Sequence, residues 1–163
     1  MKIVKVLAAL VILTVAALAI RRHCYVPVRC TIIAAEVERR TSRLSKGASY
    51  DIAAGTRENL IRLQPCIDAV PWNVVYRDLA AANYQLREDH ASMRAQYEAA
   101  LRYDRRPELH FRLGLALLAL GETEAADKHL YTGGVVWPDS LTRLQQPQQD
   151  EMLQRVYKAR QGY

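Results

Sequence analysis

Laid against itself at an offset of 34 residues, the stretch 73–140 repeats its own pattern. Leu79 falls on Leu113, Ala82 on Ala116, Leu86 on Leu120, Glu88 on Glu122, Ala91 on Ala125, Arg94 on Lys128, Tyr97 on Tyr131 and Tyr103 on Trp137. Two tandem copies of one unit follow, residues 73–106 and 107–140. A unit this short cannot bury its apolar face alone, so neighbours must stack and the flanks must contribute further helices. Small residues recur where two antiparallel helices would close to about 8 to 10 Å and let Leu and Tyr interdigitate.

In the second copy Leu113-Gly114, Ala126, Leu130 and the terminating Pro138 stand where a tetratricopeptide repeat has its Leu-Gly pair, its small residue, its next apolar site and its closing Pro. The chain therefore resembles the tetratricopeptide repeat family. The first copy departs further: Ala80 replaces the Gly, Ser92 the small Ala, Gln96 the apolar site and Asp104 the Pro. The resemblance implies an all-α fold, a short helix-turn-helix repeat solenoid, in which the first helices of successive units line a concave groove. Carried over by matching positions, that groove presents Arg77, Ala81, Tyr84, Gln85, Glu108, Phe111, Leu115 and Leu118 to an extended or helical segment of a partner protein. The plainer alternative makes Phe111, Leu115 and Leu118 core, since a short stack must bury nearly every large apolar residue.

The second strong signal is an N-terminal membrane segment. Lys2 and Lys5 precede an unbroken apolar run from Val6 to Ile20, closed by Arg21-Arg22-His23. Fifteen apolar residues span about 22 Å, between a signal-peptide core and a full span. Ile3 and Val4, with Lys5 snorkelling, extend it to about 27 Å. Ala17-Leu18-Ala19 has the form of a cleavage site, but Ile20-Arg21-Arg22 would be an unusual mature start, so the reading adopted is an uncleaved transmembrane helix over 1–22. Its flanks disagree on orientation. Arg21, Arg22, Arg29, Arg39 and Arg40 outnumber Lys2 and Lys5, which counts the repeats as cytoplasmic. The short basic stretch before an Ala- and Leu-rich core has the form of an export signal, and on that ground the repeats are expected on the periplasmic side of a bacterial inner membrane.

The net charge of +6 is unevenly spread. Residues 1–46 hold nine Lys or Arg against two Glu, while 47–163 are close to neutral. A nucleic-acid-binding repeat would carry a basic face of its own. The partners expected are a protein and the membrane, with no nucleic acid. Arg21, Arg22, Arg39, Arg40 and Arg43 are the candidates for contact with anionic headgroups; a solvated basic helix face is the plainer reading.

Between these signals, Tyr25-Val26-Pro27-Val28 reads as a break inside a linker over 23–30, because Pro27 cannot continue a helix. Residues 31–72 read as a helical pair, a possible degenerate repeat. Its first helix puts Ile33, Val37, Arg40 and Leu44 on one stripe and ends at Gly47; its second, over 50–64, turns Ile52, Leu60, Ile61 and Leu63 inward. Beyond the repeats, 141–163 holds Leu141 and Leu144, then a capping helix with Met152, Leu153, Val156 and Tyr157 inward.

Chemistry-bearing motifs are sparse. Cys24, Cys30 and Cys66 make no zinc or redox spacing. In an oxidising compartment Cys24 or Cys30 would pair with Cys66; otherwise all three are reduced, two of them packed as small hydrophobes. His23, His90, His110 and His129 are far apart in sequence and lack the spacing of a metal or catalytic motif. No catalytic residue, metal or cofactor is expected. Arg102, Arg105 and Arg106 bracket Tyr103-Asp104 in the turn between the repeats, read as a solvated turn or as contact with an acidic partner or polysaccharide. The chain is thus expected to be a membrane-tethered adaptor or scaffold in the assembly of a cell-envelope system. A structural accessory subunit of a larger integral complex is the alternative.

Overall fold

The computed structural model describes residues 2–47 and 51–161. Among the described residues the chain is all-helical, with eight α-helices and no strand. Helix α1 (Lys2–Ile20) passes through a π-helical turn (Arg21–Tyr25) directly into α2 (Val26–Ser45). The break expected at Pro27 is absent, and 23–30 is helix. The reason is local: the Val26 N–H donates to the Arg21 carbonyl, one residue further back than in an α-helix. That widened turn stands just where the proline ring would otherwise press on the preceding turn. Leu10, Val11, Ile12 and Leu13 are exposed around the helix. It is long and apolar enough to cross a membrane, by length and composition. The side chains of Lys2 and Lys5 lie outside the described residues.

Helix α2 buries Cys30, Ala34, Val37, Thr41 and Leu44, alternating four and three residues apart, so that one narrow stripe faces its neighbour. Gly47, at φ +69°, turns the chain. The neighbour is α3 (Ile52–Ala69), capped by the Asp51 carboxylate accepting from the Ala54 N–H at 3.2 Å. Tyr50, where this helix was expected to begin, lies outside the described residues. Its buried stripe is Thr56, Asn59, Leu63, Cys66 and Ile67. Ile52 and Ile61, expected inward, are exposed. The helix also runs four residues past Pro65, whose missing N–H leaves one ladder bond unmade. The antiparallel pair is tied along its length by Arg40 to Glu58 at 2.6 and 3.1 Å, by Arg62 to Glu36, and by a Cys30–Cys66 disulfide with Cα atoms 5.4 Å apart. Cys24 is free and exposed.

Four helices follow: α4 (Val74–Gln85), α5 (His90–Ala100), α6 (Pro107–Ala119) and α7 (Thr123–Val136). Asn73 and Asp89 cap α4 and α5 by accepting from the Val75 and Ser92 N–H groups, and Pro107 pre-sets the first turn of α6. Successive helices run antiparallel. Arg77 reaches Gln96 and Tyr97 reaches Asp78 across α4 and α5. Gly114 lies against Leu130, and Gly133 against Phe111, across α6 and α7. Helices two apart run parallel: Asp78 of α4 meets Arg112 of α6, and Arg94 of α5 meets Glu122 at the start of α7 at 2.6 Å. A 3₁₀ turn (Pro138–Arg143) buries Leu141, and α8 (Gln148–Gln161) lies on α7 with Met152 and Val156 buried. Tyr157, expected inward with them, is exposed.

Two apolar clusters result. One joins α2, α3 and the start of α4 around Val37, Leu63, Cys66 and Tyr76. The other runs from α4 to α8 around Tyr97, Phe111, Leu113, Leu117, Leu130 and Leu141.

Candidate partner-binding surface

The residues nominated for a groove do not share one surface. Ala81 and Phe111 are core: Phe111 is fully buried and meets Trp137 edge-on at 6.3 Å between ring centroids. A partner cannot reach Phe111 without unpacking α6 from α7, nor Ala81 without opening the interior beside α4, which corrects their assignment to the groove. Glu108 is exposed and lines a cleft of about 280 Å³ with Val75, Asp78, Arg106, Leu109 and Arg112. Leu118 instead faces the α7–α8 side, in a second hollow shared with Leu130, Met152 and Arg155. Gln85 is exposed, while Arg77, Tyr84 and Leu115 are half-buried.

The cleft beside Glu108 has an ionic floor. The Asp78 carboxylate accepts from the Arg112 guanidinium and from the Tyr97 hydroxyl at 3.3 Å. Burial, then the Asp78 charge, pushes the Tyr97 phenol up to about 12. The phenol therefore stays a neutral donor across the physiological range. Asp78 and Arg112 occupy equivalent positions of the two copies, 34 residues apart. One position carries the acid and the other the base, which turns a repeat equivalence into a cross-repeat bond. Next to it, the Arg77 Nε is buried without a hydrogen-bond partner.

Two clusters were invisible in the sequence. Thr41, Asn59 and Asn83, on α2, α3 and α4, meet in the interior. Asn83 donates to the Thr41 hydroxyl at 3.0 Å and to the Leu79 carbonyl at 2.8 Å, and Asn59 donates to the Asn83 carbonyl at 2.9 Å. The Asn59 Oδ1 is buried without a partner. The second is His110 and His129, whose rings stack at 5.1 Å with Nδ1 atoms 2.9 Å apart. One nitrogen must donate and the other accept. Burial, reinforced by Arg105, lowers the pKa of His110; burial, with His110 and Lys128, lowers that of His129. No cluster of three or more His, Cys, Asp or Glu placed to hold a metal occurs among the described residues.

At the other end of the chain, Arg21 and Arg22 are exposed at the end of the apolar helix. Arg39, Arg40 and Arg43 lie about 27 to 33 Å farther along the same helical run at 1.5 Å per residue. Arg40 is engaged with Glu58. A bilayer surface crossing at Arg21 does not extend to that height. No family model, curated protein or solved structure matches the chain.

Proposed function

We propose that this chain is a membrane-tethered adaptor: α1 anchors it, and a tetratricopeptide-like stack of α2–α7, closed by α8, holds a protein partner during assembly of a cell-envelope structure. The observation that carries this reading is the Asp78–Arg112 pair, equivalent positions of two 34-residue units bonded on parallel helices and opening on a cleft edged by exposed Glu108. That arrangement favours a partner segment with polar or charged groups over the aliphatic segment that an apolar groove floor would select. The Cys30–Cys66 disulfide, nine residues past Arg21, supports an oxidising compartment for the helical domain, and so the periplasmic side, against the count of flanking charges.

The accessory-subunit reading keeps one specific support. Tyr25 of the π turn and Val28 and Ile32 of α2 are exposed at spacings of three and four, continuing the apolar surface of α1. That stripe suits another helix of an integral complex.

The test is affinity capture of the full-length chain from detergent-solubilised membranes, wild type beside Gln85→Arg/Glu108→Arg. An adaptor loses its co-purifying protein in the variant while the variant melts like wild type. Equal recovery of the same partner by both would sink the groove reading.

A further inference from the structure

Every helix from α2 to α7 runs up or down relative to its neighbour, so the connecting turns fall at two ends. The end that faces α1 can be identified. Cys66 is bonded to Cys30, and α3 ends three residues later at Ala69, level with about residue 27 of α2. That is roughly 9 Å beyond Arg21 at 1.5 Å per residue, close to the depth of a headgroup layer. The α3–α4, α5–α6 and α7–3₁₀ turns share this end, since Val75 lines one cleft with Arg106, and the end of α7 meets Pro107 through Gly133.

The two ends differ in chemistry. The end facing α1 exposes Trp72 by 60%, Tyr103 by 50% and Val136 by 63%. Among the described residues, the far end exposes Ile52 and Leu120 as its large apolar side chains, at 40% and 38%. In the α5–α6 turn Asp104 is taken by Arg106 at 2.6 Å, leaving Arg102 and Arg105 exposed without an ion pair. Among the described residues the far turns carry Asp51, Glu88, Asp89 and Glu122, the last held by Arg94, against Lys46 and Arg87. The first rim also exposes Asp68, Glu108 and Asp139, but among the described residues it alone joins aromatic rings to free guanidinium groups, the combination that suits a bilayer interface.

We infer that this rim is a second membrane contact: Trp72 and Tyr103 sit among the headgroups of the bilayer that α1 crosses, and Arg102 and Arg105 pair with anionic lipid phosphates. The inference rests on the reading of α1 as an anchor. It lays the long axis of the stack along the membrane plane, with the acidic turns facing away. It also gives the Arg102–Arg106 turn an acidic surface to contact, in place of simple solvation.

The test uses the full-length chain in bilayers of phosphatidylglycerol and phosphatidylcholine, with the phosphatidylcholine brominated near its headgroup end. Quenching present in wild type and absent in Trp72→Phe isolates Trp72. A Leu13→Trp change in the Trp72→Phe background reports α1 through deeply brominated chains. We expect both probes to be quenched, and Trp72 quenching to fall in pure phosphatidylcholine and in Arg102→Gln/Arg105→Gln. An unquenched Trp72 beside a quenched Leu13→Trp probe overturns the rim contact, leaving the rim to a protein partner and the anchor intact. Trp72 quenching that ignores both lipid charge and the Arg changes overturns the phosphate pairing. An unquenched Leu13→Trp probe overturns the anchor and this inference with it.

Discussion

Replacing Gly133 by Ala tests the α6–α7 contact at its tightest point. A Cβ built there would stand 2.9 Å from the Phe111 Cβ, 3.0 Å from the Phe111 nitrogen and 3.0 Å from the Pro107 carbonyl oxygen. Two of those atoms are backbone and the third is fixed to it, so α6 itself must move. Overpacking of this kind costs about 1 to 3 kcal/mol. The same change recovers about 1 kcal/mol of helix propensity, which blurs any single measurement. Gly134 supplies the control, because the propensity gain is the same and cancels in the comparison. Its Cβ would meet only the Leu141 side chain, with both methyl carbons at 3.0 Å and Cγ at 3.2 Å, atoms that can shift without moving a helix. Gly133→Ala should therefore be less stable than Gly134→Ala by about 1 to 3 kcal/mol, at about 2 to 4 °C in Tm for each kcal/mol. The assay is thermal melting of the full-length chain in detergent, followed by far-ultraviolet circular dichroism. Equal melting of the two variants, or greater stability of Gly133→Ala, would refute the close approach of α6 and α7.

Four further outcomes follow from the same contacts. Without reductant, alkylation of the unfolded chain should label one thiol, Cys24, and Cys66→Ser should cost about 4 kcal/mol for a loop closed over 36 residues; three labelled thiols would contradict the disulfide. Asn83→Ala strips the acceptor from Asn59 and a donor from Thr41, at about 1 to 3 kcal/mol, whereas Thr41→Val/Asn59→Leu/Asn83→Leu should recover much of the loss; a triple variant worse than the single would argue against the network. Because the Tyr97 phenol pKa is raised in the folded chain, its contribution to stability is full below pH 10 and is lost as pH rises toward 12; Tyr97→Phe should flatten that alkaline decline, and an unchanged decline would remove Tyr97 from the account. For His110 and His129 the folded pKa values are lowered, so their contribution is present above pH 6.5 and lost as pH falls below it. His110→Phe should soften the acid transition, and a steeper one would contradict the burial of the pair.

What could be read from the sequence, and what could not, divides along periodicity. Offsets of 34 residues and small residues at matched sites located the turns of α4–α7 and the burial of Leu113, Gly114, Ala126 and Leu130, because helix spacing is written locally. The prolines misled. Pro27 was taken as a break and the second helix of the pair was ended at residue 64, just before Pro65, yet a preceding π turn and a tolerated missing bond carry both helices through. Polar residues at core positions misled in the same way: Thr41 and Asn59 continue the buried stripes of α2 and α3, but polarity suggested surface, so Ile52 and Ile61 were turned inward in place of Thr56 and Asn59. The spacing Cys30-Ala34-Val37-Thr41-Leu44 was the available signal. The disulfide, the histidine pair and the Asp78–Arg112 bond join different helices, and nothing local announces such meetings. Within the groove, matching by position transferred location but not exposure, which is why Ala81 and Phe111 were included.

The most direct test of the adaptor account is photo-crosslinking in intact membranes, with a photoreactive side chain placed singly at Gln85, Glu108 or Ile32 of the full-length chain. The account predicts one discrete protein adduct shared by Glu108, at the cleft floored by Asp78 and Arg112, and Gln85, at the far end of α4, and none of that mass from Ile32. An adduct from Ile32 alone, with Gln85 and Glu108 silent, would contradict it and make the α1–α2 stripe the contact of a subunit held inside a larger membrane complex.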